Sequence, residues 1–468
     1  MMKRSTDGEN TAAGSPEPAA SAAPTAPPPP PPPPRAPPPG PGGAAGPGAA
    51  GTPAVSPNPK LWFLVVLNVF TVAWGGNQFT SMLVFYRGRG EFADLFVDSM
   101  LAIYAVGVGG ALLIGGALTD HYGRRPIMLP APALAIVGSL LIATGEHVEV
   151  LMASGRFVAG VALGLAMTAG GAWVKELSGA PFDPKSAASS GAKRFSMSFT
   201  LGLAMGPFTG GMLAQWAALP GQLIYAIHIV ITLLVYPLMF KVPETYRLGP
   251  DGRPRERRDS RGSLMRDIAV PSLTDKRFLL IVLPCAPWVF GTSFTSQTIL
   301  PTQIYDQLSH PVAYAGMISL ITMGVGFMIQ QFGPRIDDQA ARGPFLSMLL
   351  AACGMTIAMV TTLFPSAALS VTSSVILGLA YGLGMYIGLA QTQRIAPADD
   401  LGGLTGFFYC ATYVGMFFPA LLTFFSGVFP YPVMLGFGIV MAFVCMAVAV
   451  PSARRAARER RSRLSEPR

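Results

Sequence analysis

From Leu61 onward the chain alternates between apolar blocks of about twenty residues and short polar breaks, the length a helix needs to cross about 30 Å of hydrocarbon. Twelve blocks are predicted, at about 61–85, 95–119, 126–144, 150–174, 195–217, 221–241, 278–300, 313–333, 345–364, 367–391, 404–427 and 430–450. They contain Gly and Pro, which helices in a bilayer tolerate better than helices in water. The pattern predicts an all-α integral membrane protein with twelve transmembrane helices.

Charge orients the blocks. With both chain ends placed in the cytoplasm, 30 of the 33 Lys and Arg residues fall on that side. Arg87 and Arg89 fall outside and Arg156 lies within a span. The opposite topology would invert the positive-inside rule. The net charge of +9 is thereby assigned to the membrane face, and nucleic acid is not an expected partner. Only 12% of residues are charged, half the soluble norm of about 25%.

The remaining segments divide the chain. Residues 1–59 are rich in Pro, Ala and Gly, with eight consecutive prolines from Pro27 to Pro34, and read as a disordered cytoplasmic tail without a signal peptide. A basic linker, 242–277, separates a six-helix bundle at 60–241 from a second at 278–450. The basic tail 451–468 is expected to lie against anionic lipid. The Ala/Gly/Pro/Arg bias points to a GC-rich bacterial genome, hence a bacterial cytoplasmic (inner) membrane crossed many times.

The two halves share marks at one offset. Asp120-x-x-x-Arg124-x-Pro126 recurs 218 residues on as Asp338-x-x-x-Arg342-x-Pro344, and GVALGLAM from Gly160 aligns with GLAYGLGM from Gly378 at the same distance. The first and seventh blocks start almost as far apart. Two matches at one spacing predict a duplication, two six-helix repeats.

GGALTDHYGRRPIML, Gly115–Leu129, sets an acid, a histidine and two arginines between the second and third blocks. Gly115 and Gly116 permit close helix approach, Gly123 a tight turn and Pro126 a first helical turn. The charges read either as an interfacial anchor or as a cytoplasmic latch that holds one conformation closed. The stretch resembles the G-x-L-A-D-R-x-G-R-R signature of the major facilitator superfamily, matched by Gly116, Leu118, Asp120, Gly123, Arg124 and Arg125; Thr119 and His121 depart from it. The resemblance covers about 61–450. It implies the fold of that family, transport by alternating access, and a loop that stabilises the outward-facing state against a helix of the other half. Asp338 and Arg342 are the second-repeat counterparts.

Two further stretches resemble antiporters of that family. GRFVAGVALG sets Arg156 and Gly160 in an R-x-x-x-G pattern within the fourth block. A charge there costs roughly 2.5–3.5 kcal/mol on insertion scales, so Arg156 faces a cavity or partner, or snorkels to the outer interface. In similar drug:proton antiporters this arginine is tied to proton transfer. GLAMGPFTGG matches G-x-x-x-G-P-x-x-G-G through Gly202, Gly206, Pro207, Gly210 and Gly211. By itself it is a small-residue packing seam with a proline kink; the resemblance implies export by antiport. VPET, Val242–Thr245, is a less discriminating echo of the family.

A proton-driven exporter needs a carboxylate that is desolvated in some states. The first block has none, and its polar face is Asn68, Thr71, Trp74, Asn77 and Gln78. Asp98 and Glu176 remain; Asp98 reads as an interfacial acid or as the coupling group, and is carried as the candidate beside Arg156. His228 reads as a satisfied buried histidine. Trp74, Asn77, Gln78, Gln297, Tyr381 and Gln391 are candidates for a cavity lining, together with Trp173, although aromatic residues at helical spacing more often serve packing. A neutral lining of this kind suits an uncharged or moderately hydrophobic solute.

The four Cys and four His lack metal-ligand spacing, and no P-loop occurs. No metal, cofactor or enzymatic chemistry is expected. The expected partners are a small-molecule substrate, protons and the lipid bilayer, with a monomer as the unit. The favoured function is proton-coupled efflux of a small organic molecule or drug. The alternatives are an importer of a nutrient such as a sugar or organic acid, and a non-transporting sensor or scaffold.

Overall fold

The computed structural model describes residues 58–187, 190–246, 270–337, 341–396 and 401–465, all within one body, Thr52–Arg468. The proline-rich stretch, most of the central linker (247–269) and Asp338 lie outside the described residues.

Eleven of the described helices are long and apolar enough to cross a membrane. In the first part of the chain these are α1 (Leu61–Arg89), α2 (Asp94–Tyr122), α3 (Arg124–Thr144), α4 (Glu149–Leu177) and α6 (Leu223–Lys241). In the second they are α7 (Phe278–Gln303), α8 (Pro311–Ile336), α9 (Arg342–Leu363), α10 (Ala367–Ile395), α11 (Leu401–Phe425) and α12 (Tyr431–Ser465). Between α4 and α6 lies α5 (Ser190–Trp216), 27 residues long but outside that count. Its Gly, Ser and Thr residues, with Lys193 and Arg194, lower its hydropathy.

Two ends differ from the apolar pattern. α1 runs on to Arg89, so Arg87 and Arg89 stand on the helix. α12 continues past the block predicted to end near 450, because ARRAARERRSR is built largely of strong helix formers.

Burial sorts the helices into a centre and a rim. In α1 and α7, 67% of the most apolar stretch is buried within the protein, against 28% in α6 and α12. The first pair runs through the middle and the second faces lipid. Among the first six helices, α1 packs on α5 and α6, α2 on α4, and α3 on α4 and α6. In the last six, α7 packs on α11 and α12, α8 on α10, and α9 on α10 and α12.

Close helix approach depends on glycine at matching places. A Cβ on Gly160 of α4 would press on the Tyr104 carbonyl of α2, and one on Gly378 of α10 would stand 2.7 Å from the Thr322 carbonyl of α8. Both partners of the second contact lie 218 residues beyond those of the first. Several central helices are interrupted: α4 by a π turn at Ala166–Gly170, α7 by π turns at Phe278–Val282 and Thr295–Ile299, and α11 by a tight turn at Val414–Phe417 before Pro419. Such insertions loosen the helical ladder and supply points of bending.

Candidate functional site

Between the first six helices and the last six, α2 lies against α11 and α5 against α8. These contacts are close at the end carrying Asp98 and Trp216, here the far end. A Cβ on Gly211 of α5 would stand 2.6 Å from the Val312 carbonyl and 2.9 Å from the Gly316 Cα of α8. Gln215 accepts hydrogen bonds from the Val312 and Ala313 amides at 3.1 and 3.4 Å, and the Trp216 and His310 rings lie 5.3 Å apart. On the α2–α11 line, buried Asp98 is ion-paired with Arg87 of α1 and accepts a hydrogen bond from the Thr423 hydroxyl of α11. Arg87 also donates to Thr423 at 2.9 Å.

Toward the other end, which carries the charged motif, α2 and α11 part. The Cys410 thiol still reaches the Gly109 carbonyl at 3.4 Å, and a Cβ on Gly406 would lie 3.5 Å from the Leu112 carbonyl. One to two turns further, nothing among the described residues lies within 4 Å of a Cβ placed on Gly116 or Gly402. The contacts that close α2 on α11 and α5 on α8 are thus gathered toward the far end, and those of α2 with α11 run no further toward the motif end than Leu112 and Gly406.

The motif ties four helix ends of the first six together. Gly123 has φ +107°, a conformation open mainly to glycine, and a Cβ there would stand 2.6 Å from Glu244. Glu244, at the end of α6, accepts from the backbone amides of Arg124 and Arg125 at 3.0 and 2.9 Å. Its carboxylate therefore caps the first turn of α3, where orphan amides and the helix dipole favour an anion. The Arg124 guanidinium bonds Glu176 of α4 at 3.0–3.1 Å and the Thr119 carbonyl of α2 at 3.0 Å, and lies 4.9 Å from the Tyr246 ring. Arg125 donates to the Phe240 carbonyl at 3.1 Å. Asp120 occupies the last turns of α2.

In the second half Arg342 opens α9, and Arg394 of α10 bonds Asp337 at 2.6 Å. Glu176 and Arg394 are 218 residues apart. Each pairs with an opposite charge near the preceding helix turn, with the signs exchanged.

Arg156 is enclosed among α1, α2 and α4, only 1% exposed. It donates to the Gly76 carbonyl at 2.9 Å and the Met100 carbonyl at 3.4 Å. Its guanidinium lies 4.2 Å from the Tyr104 ring centroid and 4.7 Å from that of Phe79. Carbonyls and cation–π contacts surround the charge, without a carboxylate partner among the described salt bridges.

The glycine motif of α5 divides between two partners. A Cβ on Gly202, Gly206 or Gly210 would stand 2.6, 2.5 or 2.9 Å from the Phe70, Trp74 or Gln78 carbonyl of α1, while Gly211 faces α8. Pro207 lies within the helix, and its carbonyl would be 2.8 Å from a Cβ on Gly316.

The lining candidates do not gather into one constellation. Trp74 donates to Thr209 of α5 at 2.9 Å, and Asn77 to the Leu203 carbonyl of α5 at 2.6 Å. Gln78 turns away to Ser139 of α3 at 3.4 Å, which meets His228 of α6 at 2.8 Å; His228 also bonds the Thr71 carbonyl at 3.0 Å. Trp173 holds the Pro243 carbonyl at 3.1 Å. On α7, Gln297 donates to Ser293 at 2.6 Å, and Gln391 is buried on α10. Tyr381 packs on Phe290, which contacts Tyr413 at 4.6 Å between centroids. The Tyr413 hydroxyl then reaches Met167 of α4 at 3.6 Å, across the two sets of helices.

Sequence reasoning missed Arg87, Thr423 and Glu244 as site residues. Arg87 had one legible signal, a basic residue on the side where only two occur. Thr423 had none.

The descriptive model of the Major Facilitator Superfamily matches residues 90–420. The chain belongs to the major facilitator superfamily. Eleven of its described helices are long and apolar enough to cross a membrane, as a multi-pass member of that family requires. Among superfamily relatives, the transporter paaT of Penicillium rubens is 26% identical over 210 residues, 40% of this chain and 35% of that protein. The proton myo-inositol cotransporter hmit-1.2 of Caenorhabditis elegans is 24% identical over 42% of this chain and 33% of its own length. The multidrug resistance protein MdtL of Escherichia coli is 33% identical over 63 residues, 14% of this chain and 16% of MdtL. The chain thus spans about a third or less of the length of these relatives. The peptide transporter POT in complex with sulfate shares the fold, with TM-score 0.67, 14% identity, and coverage of 86% of this chain and 98% of that one.

Proposed function

We propose that this transporter exports a small, uncharged or moderately hydrophobic organic molecule in exchange for protons, by alternating access. The observation that supports the reading is the far-end seal: α2–α11 and α5–α8 meet there through Asp98, Thr423, Gly211 and Gly316, and the recorded α2–α11 contacts stop at Leu112 and Gly406. A passage open on one side and sealed on the other by side chains and glycine contacts is what alternating access requires. Export is favoured by the α5 seam, where the antiporter-like glycines pack α1 while the next one meets α8, so that helix couples the centre to the sealing contact. The short match to the multidrug resistance protein MdtL leans the same way.

In this proposal α5 is the twelfth span, completing two six-helix repeats at 60–241 and 278–450 that are joined by the basic linker 242–277. The matched packing order and the Gly160–Tyr104 and Gly378–Thr322 contacts support it. Both termini and the charged motif are assigned to the cytoplasm of a bacterial cell, and the far end to the outside, in keeping with the distribution of Lys and Arg. Gly116, Asp120, Gly123, Arg124 and Arg125 act as the cytoplasmic gate, here held by the first six helices in the inward-open form. Asp338 and Arg342 are their second-half counterparts. Arg156 and Asp98 are the intramembrane charges that respond to protons, and Tyr381 with Phe290 and Tyr413 borders the passage.

The test is cellular. Cells producing the protein should retain less of an amphipathic dye than cells producing Gly206→Leu at the same membrane level, and a protonophore should abolish the difference. Equal retention would overturn the export assignment.

A further inference from the structure

Asp98 differs from the other acids of the far end. It is 2% exposed, and its carboxylate joins Arg87 on α1 to Thr423 on α11, across the line along which the passage must open. We propose that Asp98 is a proton-binding site on the extracellular gate, and that a proton arriving from outside releases the gate. The proposal rests on the alternating-access reading and its orientation.

The ionised carboxylate accepts from both Arg87 and Thr423, and charge-assisted bonds are the stronger kind. Once protonated, the group loses the charge that holds the arginine and has less accepting capacity for the hydroxyl. Arg87 then has somewhere to go. The Asp94 carboxylate, one turn back on α2 and largely exposed, already lies 3.9 Å from its Nε, an atom with no hydrogen-bond partner in the closed form. Protonation thus need not strand a buried cation, and Thr423 is freed to move away with α11.

Among the described residues, the groups that face Asp98 are few. They are Arg87 from α1, Asp94 on its own helix, Thr423 from α11, and the Tyr431 hydroxyl at the start of α12, 3.4 Å from the Thr423 oxygen. On α4, Arg156 is engaged with Met100 and Gly76 instead.

The position also limits the role. Asp98 sits at the sealed end, so a proton bound there from outside returns to the outside. It sets the gate without carrying the coupling proton across, which leaves translocation to another group.

The experiment is hydrogen–deuterium exchange on the full chain in lipid nanodiscs, without cargo, in acidic and alkaline buffer and corrected for intrinsic rates. On acidification, far-end segments of α2, α5, α8 and α11 should lose protection by roughly tenfold, equivalent to about 1.4 kcal/mol, while motif-end segments of α2 and α11 gain it. Asp98→Asn should show the acid pattern in both buffers. Thr423→Val, which keeps the Arg87–Asp98 ion pair and removes both bonds that tie it to α11, should shift toward it in alkaline buffer. A wild-type pH response that survives in Asp98→Asn and disappears in His310→Gln would overturn the proposal and move the site to the α5–α8 contact. An unresponsive wild type, or Thr423→Val unchanged, would overturn it too. Because no cargo is needed, failure of the export reading would appear in transport assays and leave this result standing.

Discussion

Gly211 of α5 and Gly316 of α8 meet backbone to backbone: a Cβ on Gly211 would lie 2.9 Å from the Gly316 Cα, and one on Gly316 would lie 3.2 Å from the Gly211 Cα. The far end can close along α5–α8 only because neither residue has a side chain. Gly211→Leu is therefore expected to hold the far end ajar. Overpacking of this kind costs about 1–3 kcal/mol, which falls on the closed form. Transport should drop by roughly fivefold to a hundredfold, by the equivalence of 1.4 kcal/mol per decade, at unchanged membrane level. Uptake rates and quantitative blotting check this, and normal transport would mean that the contact need not form.

Glu244 caps α3 through the amides of Arg124 and Arg125. Glu244→Ala should lower stability by about 1 kcal/mol, the usual loss for a cap, with a further dipole contribution of roughly 0.3–1 kcal/mol. Thermal unfolding in detergent measures it. Glu244→Gln keeps a hydrogen-bond acceptor and should fall between wild type and alanine.

Arg156 separates stability from function. A buried charge held by carbonyls and rings is expensive to desolvate, so Arg156→Met should leave the melting temperature unchanged or raise it. Transport should nevertheless be lost, as polar groups kept at a cost to stability usually serve activity. Arg156→Lys should not restore it, because one ammonium cannot match a planar fork stacked between Tyr104 and Phe79. A variant that is less stable but fully active would mark Arg156 as structural.

Much of the helical order was legible in the chain and much of the gating was not. Apolar blocks reveal spans because a backbone in hydrocarbon must satisfy its own hydrogen bonds. α5 falls short of the hydropathy of the other long helices, yet it was legible as the apolar block at 195–217 as well as through its glycines and Pro207. The bond between Arg87 and Thr423 joins residues 336 apart, and local pattern does not encode such a meeting. Asn77 and Gln78 looked like cavity amides because they stand on the polar face of the first block; their long-range partners, Leu203 and Ser139, arrive from α5 and α3. Glu244 was visible within VPET, but its place over α3 depends on how α6 returns to that end.

Glu91, between α1 and α2, should shape the acid limb of stability. The hydrogen bond from His147, with Arg89 beside it, holds its carboxyl below the ordinary glutamate value. A lowered folded value means stability that is present above the ordinary range and lost as pH falls through the folded one. Glu91→Gln should flatten that limb of the melting-temperature profile, slightly, since the group is exposed. An unchanged slope would show that the pair contributes nothing in solution.

The most direct measurement is accumulation of labelled dyes and antibiotics in inverted membrane vesicles containing the protein, with an acidic interior imposed. Inverted vesicles present the cytoplasmic face outward, so an exporter driven by proton exchange should load them. Accumulation that collapses with a protonophore, and is absent in Gly211→Leu vesicles, is the expected result. Gradient-dependent uptake confined to right-side-out vesicles would contradict export and establish an importer.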